Sequence, residues 1–463
     1  MKKFIYILLV IIVALLIVMS LVTRKVDRTS YYDNDYYKKS ILHLDSLRKN
    51  HRSVCHVLEA GFSKVSITPG LHYPEDNVEE GKFKNVTLSG HYARKGKFAT
   101  GIHDSIFIRV ASIKVADKLM IIVGSDMLLI PKNITDMVLS LLHQDGIRRD
   151  QLMFTATHDH TTLGGWGTGY FGAKLAGELN ENMVRWLSSR ISLAVRASLQ
   201  DFKPAKIGSG NVAAASYIKN RLIGETGTKN DDFSYIILEQ ISGKKAIIGS
   251  FSAHASILDE KCMEIGVEYP GYWQRKMENS FADYAIFCAG AMGSQNPAGF
   301  DDDEDLERIR KIGEGLADIV LQSASATIMK DTCVFSAITM KLNLPKFGTR
   351  IMKNRTLVPI VCNEIISVPE HPVLQALRLN DMVWISTPAD FSGEIALQIK
   401  NYLCPKGFNA NITSFNGHYL GYIIPSKYYF LESYESRGMG WFGPNMGDYT
   451  TDLILQMSDI VIH

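Results

Sequence analysis

The sequence predicts a mixed α/β fold, with sheets flanked by helices, forming one large domain behind an N-terminal transmembrane helix. Three observations predict it. Residues 4–22 (FIYILLVIIVALLIVMSLV) carry no charge over nineteen positions. From Gly61 onward, strand-like apolar runs alternate with runs of helical period. No internal repeat and no Pro- or Ser-rich linker divides that body. The composition agrees with this picture. At 463 residues, 46% hydrophobic and 21% charged, with 36 Gly and 14 Pro, the chain is neither disordered nor collagen-like, and it can bury a sizeable core.

The elements follow in chain order. At about 1.5 Å per residue, 4–22 is long enough to cross a hydrocarbon core. It runs into Leu21-Val22-Thr23-Arg24-Lys25, which offers no small-residue cleavage site, so residues 1–26 are expected to be an uncleaved signal anchor. Residues 27–58, rich in Tyr, Lys, Arg, Asp and Ser, read as a stalk that is partly helical around 41–47. Residues 59–463 form the body. Within it, 105–114 and 118–124 read as paired strands, 135–143 as a helix, and 151–157 as a strand entering a glycine-rich loop. The stretch 181–200 is amphipathic at helical spacing, and 245–253 and 284–289 are strands. A long helix is expected over 301–325, its acidic start suited to the helix dipole, then a strand at 382–387 and a helix near 393–402.

Charge and cysteine usage narrow the function. The formal charge is +2, but Lys2, Lys3, Arg24, Lys25 and Arg28 against Asp27 place +4 in the first thirty residues, leaving about −2 for the rest. No basic field for nucleic acid survives that subtraction. The six cysteines (Cys55, Cys262, Cys288, Cys333, Cys362 and Cys404) contain no CxxC and no framework spacing. They read as small buried hydrophobes, with one or two bridges left open.

Four segments at strand ends carry candidate chemistry. In Thr157-His158-Asp159-His160, residues i and i+2 of an extended chain share a face, so His158 and His160 would project together. Paired imidazoles suit Zn²⁺, which takes neutral histidine nitrogen at about 2.0–2.1 Å; satisfied polar histidines are the structural alternative. His254 ends the apolar run Gly249-Ser250-Phe251-Ser252-Ala253. Asp390, in Pro388-Ala389-Asp390-Phe391, stands before a helix, where a simple capping role is the alternative. Tyr419 and Tyr422 lie in an aromatic stretch after Asn416. Together these supply nitrogen and oxygen ligands. The acidic run 301–305 lacks the alternation of a calcium loop and reads as helix-start charge. Asp126 reads as structural support, and Trp166, Tyr170 and Phe171 could line an apolar groove.

These motifs, in this order, resemble the neutral/alkaline, non-lysosomal ceramidase family over roughly residues 61–447. Residues 62–70 (FSKVSITPG) are similar to the family's opening strand, and Gly101-Ile102-His103 to its next signature. Thr155-Ala156-Thr157-His158-Asp159-His160 resembles its S-x-T-H-T-H segment, Asn220-Arg221 its N-R-S-P, and Phe251 with His254 its F-x-x-H. Pro388-Ala389-Asp390-Phe391 resembles P-G-E-F, Tyr419 with Tyr422 resembles Y-x-x-Y, and Gly443-Pro444 the later Y-G-P.

The resemblance implies a zinc amidohydrolase that cleaves the amide of a ceramide-like N-acyl lipid, a role in sphingolipid metabolism. Carried over residue by residue, His158, His254, Asp390 and Tyr422 would hold zinc, with Tyr419 in reserve. His160 and Arg221 would act on the tetrahedral intermediate or in proton transfer. Three departures accompany the match. Asp390 replaces a glutamate. Asn296, in Gly293-Ser294-Gln295-Asn296-Pro297, stands where the family has a catalytic serine; it would act by hydrogen-bonding a substrate hydroxyl or the oxyanion and cannot serve as a nucleophile. The family's C-terminal sandwich-like domain has no counterpart within these residues. The expected partners are a lipid amide and the membrane, with no nucleic acid and no obligate protein, and the domain is expected on the extracytoplasmic side. A hydrolase of another cell-envelope amide or ester, and a catalytically impaired binding protein on the same fold, are the alternatives.

Overall fold

The computed structural model describes residues 2–368 and 370–463. Helix α1 (Lys2–Val22) contains the uncharged stretch, and none of residues 3–22 is buried in the body. Strand β1 (Thr23–Lys25) follows without a break, then α2 (Asp35–Asn50) and the long β2 (Val54–Ser66). Residues 27–58, expected as a stalk, therefore include a helix packed on the body. Leu44 of α2 is fully buried, and Ser40 Oγ lies 2.7 Å from the Tyr449 hydroxyl.

The central part comprises β3 (Gly101–Ile102), β4 (Phe107–Val115), β5 (Lys118–Ser125), α3 (Lys132–Leu142), β6 (Leu152–Ala156), α4 (Gly169–Ala176) and α5 (Glu181–Gln200). Then come β7 (Lys203–Ala213), β8 (Ile218–Asn220), β9 (Asp232–Gln240), β10 (Lys245–Phe251), β11 (Glu264–Ile265) and α6 (Tyr269–Ser280). β12 (Tyr284–Ala289), β13 (Gln295–Pro297), α7 (Asp305–Ser325) and β14 (Thr332–Lys341) follow. The last part holds β15 (Arg350–Met352), β16 (Arg355–Leu357), α8 (Pro359–Ile365), β17 (Val373–Leu379) and β18 (Met382–Ser386). It closes with β19 (Asp390–Phe391), α9 (Gly393–Leu403), β20 (Asn409–Thr413), β21 (Tyr422–Ile423) and α10 (Met446–Ile462). The expected strand pair is present as β4 and β5, antiparallel from Ile108↔Ser125 to Val115↔Lys118.

A twelve-stranded mixed sheet organises the body in the order β12-β10-β9-β7-β2-β14-β17-β18-β20, with β4, β5 and β6 branching from β2. One core cluster, including Phe62, Ile113, Ile236, Ile248, Leu377 and Trp384, draws its buried residues from strands alone, so this face packs sheet against sheet. The other face is covered by helices. α3, α5, α6 and α7 contribute to the largest cluster; α2, α9 and α10 contribute to a third over β14, β17, β18 and β20. Successive side chains of a strand point to opposite faces and both faces are covered here, so β6, β10 and β18 are buried almost throughout, while each helix buries one stripe.

Local differences from expectation have physical causes. The long helix starts at Asp305 rather than at 301, and the acidic residues ahead of it meet cations: Asp301 pairs with Arg308 and Lys219, and Asp303 with Lys311 at 3.0 Å. Asp390 does not cap the following helix. Ser392 does so, its side chain accepting from the backbone N–H of Glu394 at 3.3 Å. All six cysteines are free thiols, Cys288, Cys333 and Cys362 buried among apolar neighbours. Asp126 accepts two bonds from the Arg109 guanidinium at 3.0 and 2.8 Å and one from the Phe107 N–H, a buried structural anchor.

Candidate metal centre

Four strand ends meet at one place. β5 runs parallel to β6, β10 to β12 and β18 to β20, and the chain leaving β6, β10, β18 and β20 carries the candidate residues. Loops beyond the carboxyl ends of parallel strands are where such sheets gather functional groups.

The β6 exit is not an extended continuation. The strand ends at Ala156, Thr157 N–H donates to the Ser125 carbonyl, and His158 adopts a left-handed φ of 62°. His158 and His160 still meet, with ring centroids 4.9 Å apart, but a buried turn brings them together rather than strand alternation. Asp159 points the other way and pins that turn, accepting from Thr157 Oγ1 at 2.8 Å and from the Glu268 N–H at 3.1 Å. Burial pushes its carboxyl up to about 8. Gly90 is required behind His160. With φ at 104°, a Cβ there would lie 2.7 Å from the His160 Cα and ring.

His158, His254 and Asp390 converge, each buried, with one ligand atom apiece and all three atoms within 4.8 Å of one another. Each imidazole is held through Nδ1. That of His158 donates to the Leu128 carbonyl at 2.8 Å, and that of His254 faces the carbonyls of Met292 and Gln295 at 3.0 and 3.1 Å. These bonds leave Nε2 with its lone pair toward the centre. From there it is 3.8 Å to Asp390 Oδ1 from His158 and 3.3 Å from His254. Asp390 Oδ1 is buried with no hydrogen-bond partner, while Oδ2 accepts from the Tyr419 hydroxyl at 2.7 Å. An unpartnered buried carboxylate oxygen facing two imidazole lone pairs is costly as it stands and is what a tetrahedral cation would satisfy. The donor set therefore fits zinc.

Electrostatics point the same way. Burial pushes His158 down to about 4 and His254 to about 3, keeping both rings neutral as metal ligation requires. Burial raises the Asp390 carboxyl, and His158 with the Tyr419 hydroxyl opposes that rise.

The pairing of β19 with β21 sets Asp390 directly beside Tyr422. The Tyr422 hydroxyl lies 3.1 Å from His254 Nε2 and accepts from Arg221 at 2.9 Å. Arg221 also donates to Asn296 Oδ1 at 2.9 Å and to Glu435 Oε1 at 2.7 Å. Burial opposes the guanidinium charge, but Tyr422 and Glu435 outweigh it and keep Arg221 protonated. Asn296 thus orients the arginine. Ser294, two residues earlier, donates to the other Glu435 oxygen at 2.8 Å. Both ring nitrogens of His160 are buried and bonded to nothing, and burial holds the ring well below its ordinary pKa. Glu435 and Tyr434 escaped sequence reasoning, since neither stands in a motif and both reach the site from a loop after β21.

A cavity of about 240 Å³ opens over His158, His160, Asp390, Tyr419 and Tyr422. It shares Leu129, Phe171, Leu175 and Tyr419 with a second of about 360 Å³, lined also by Trp166 and Trp441. Trp166 and Phe171 line this groove as expected; Tyr170 instead faces solvent.

No protein-family model matches the sequence, and no curated protein matches it. Solved structures do. The neutral ceramidase from Pseudomonas aeruginosa superposes with a TM-score of 0.71 at 16% identity, covering 88% of this chain and 75% of that one. A ceramidase complexed with C2 gives 0.72 at 15% identity, covering 87% and 75%. The chain shares the neutral ceramidase fold.

Proposed function

We propose that the protein is a zinc-dependent amidohydrolase cleaving the linear amide of a ceramide-like N-acyl lipid. The observation that carries this reading is the convergence of His158 Nε2, His254 Nε2 and the unpartnered Asp390 Oδ1 at the floor of an apolar groove. His158, His254 and Asp390 would hold the ion, with the Tyr422 hydroxyl beside them as a fourth ligand. Zinc bound there would act as a Lewis acid on the scissile carbonyl and lower the pKa of water at the site to about 7.

The rest is the work of the chain's own residues. Phe171, Leu175, Trp166 and Trp441 bury an acyl chain and exclude water from the reacting end. His160, neutral and unpartnered, has one N–H to donate to the carbonyl oxygen and one lone pair to receive a proton. Arg221, fixed by Glu435 and Asn296, places positive charge behind the Tyr422 hydroxyl. A preorganised donor of this kind contributes about 2.7–4 kcal/mol to a transition state that develops negative charge. With Asn296 bonded to Arg221, attack by water rather than by a side chain is the route these residues support.

Residues 1–26 act as a retained anchor in this reading, with 59–463 as the catalytic body on the extracytoplasmic side. The test is zinc content by mass spectrometry together with hydrolysis of N-acyl sphingoid bases and unrelated acyl amides and esters. One zinc per chain and amide turnover, both lost in His158→Ala and His254→Ala, are expected. Protein purified without zinc, or with zinc but no amide turnover, would overturn the reading.

A further inference from the structure

The end of α1 is built into the body rather than tethered to it. Val358 N–H donates to the Val22 carbonyl at 2.9 Å, and Val26 N–H to the Asn354 carbonyl at 3.1 Å. β1 pairs with β16 from Thr23↔Leu357 to Lys25↔Arg355, the edge of a three-stranded sheet with β15. Arg355 donates to Thr23 Oγ1 at 2.9 Å, and Arg24 to the carbonyls of Lys346 and Phe347 at 3.1 Å. A span joined by strand pairing cannot pivot freely, so the surface around its exit keeps one orientation toward the bilayer.

That surface has the chemistry of a membrane interface. Lys25, Arg28, Lys39, Lys346 and Lys353 are exposed around the exit, against Asp27, Asp33, Asp35 and Glu364. Ile360, two residues from the bond to Val22, is 78% exposed. An apolar side chain among cations at the foot of a spanning helix matches an anionic headgroup layer.

The same collar leads to the catalytic groove. Gly348 N–H donates to the Trp441 carbonyl at 2.9 Å, Trp441 packs edge-on against Tyr419 with centroids 5.7 Å apart, and Tyr419 bonds Asp390. From Val358, α8 extends about 10 Å at its helical rise and delivers Ile366, Ser367 and Val368 to the groove wall.

We propose that the β15–β16–α8 collar docks on the anionic face of the bilayer that α1 spans, so that the groove receives lipid directly from that leaflet. The docking rests on α1 being a retained span. The delivery rests also on the amidohydrolase reading.

The test uses the full chain in phosphatidylcholine/phosphatidylglycerol nanodiscs, with Cys55, Cys262 and Cys404 replaced by Ser. An environment-sensitive fluorophore is placed by Ile360→Cys or, as control, by Ile241→Cys, which is exposed at the opposite end of β10 from His254. Headgroup spin-labelled lipid should quench the label at 360 several-fold more strongly than that at 241; equal quenching overturns the docking whether or not the protein hydrolyses an amide. Ile360→Glu should lower turnover of bilayer-embedded N-acyl lipid about tenfold and leave that of a soluble short-chain amide unchanged. Equal loss on both substrates overturns the delivery.

Discussion

Arg221 Nε donates to Glu435 Oε1 at 2.7 Å across 214 residues of sequence, with Glu435 only 1% exposed. This pair joins the loop after β8 to the loop after β21 and sets the guanidinium against the Tyr422 hydroxyl. Removing one partner of a buried pair leaves an uncompensated charge, costing about 3–5 kcal/mol. Glu435→Ala should lose that much stability in urea titration, and Glu435→Gln, which keeps an acceptor, should lose less while lowering kcat.

In the proposed mechanism His160 acts apart from metal binding. Its ring nitrogens bond nothing, and it stands outside the group formed by His158, His254 and Asp390. His160→Ala should retain one zinc per chain and lose about 10²–10³ in kcat, the scale for losing one transition-state donor. Zinc content measured beside kcat and KM checks the split; loss of zinc would reassign His160 as a ligand.

Tyr419 acts through Asp390. Its hydroxyl fixes Oδ2 and so aims Oδ1 at the imidazoles. Tyr419→Phe should weaken zinc binding about 10- to 100-fold, the usual cost of losing a group that orients a ligand. Competition with a chelator reads this directly.

Buried His418 makes stability depend on acid. Burial pushes it down to about 4 from an ordinary 6.5, so between those values the unfolded chain binds the extra proton. Stability therefore falls as pH drops through this window, by up to about 1.4 kcal/mol per unit for this group. His418→Asn should flatten the slope of unfolding free energy against pH between 6.5 and 4, measured on metal-free protein so that zinc release adds nothing.

Glu268 is fully buried, and burial raises its carboxyl well above the ordinary range. One oxygen accepts from the Leu258 N–H at 2.7 Å, and the other has no partner. Glu268→Gln should change stability by less than about 1 kcal/mol, whereas Glu268→Ala removes the acceptor of a buried N–H and should cost about 1–3 kcal/mol. Thermal unfolding of the two variants distinguishes them.

Local pattern was enough to mark α1, the β4–β5 pair, α5, and the strands that end before His158, His254 and Asp390, because charge, period and length are properties of a short window. It also marked both imidazoles, the carboxylate and the two tyrosines as groups capable of ligation. It did not show that they meet. His158 lies 232 positions before Asp390 along the chain, and only the packing of the folded sheet brings the loops after β6, β10 and β18 together. Tertiary structure alone decided that a left-handed turn aims His158, that Asn296 holds Arg221, and that Glu435 completes the site. It also decided that the residues after α1 pair into a sheet beside the groove. Each of these depends on contacts between distant segments, whose energies no local window contains.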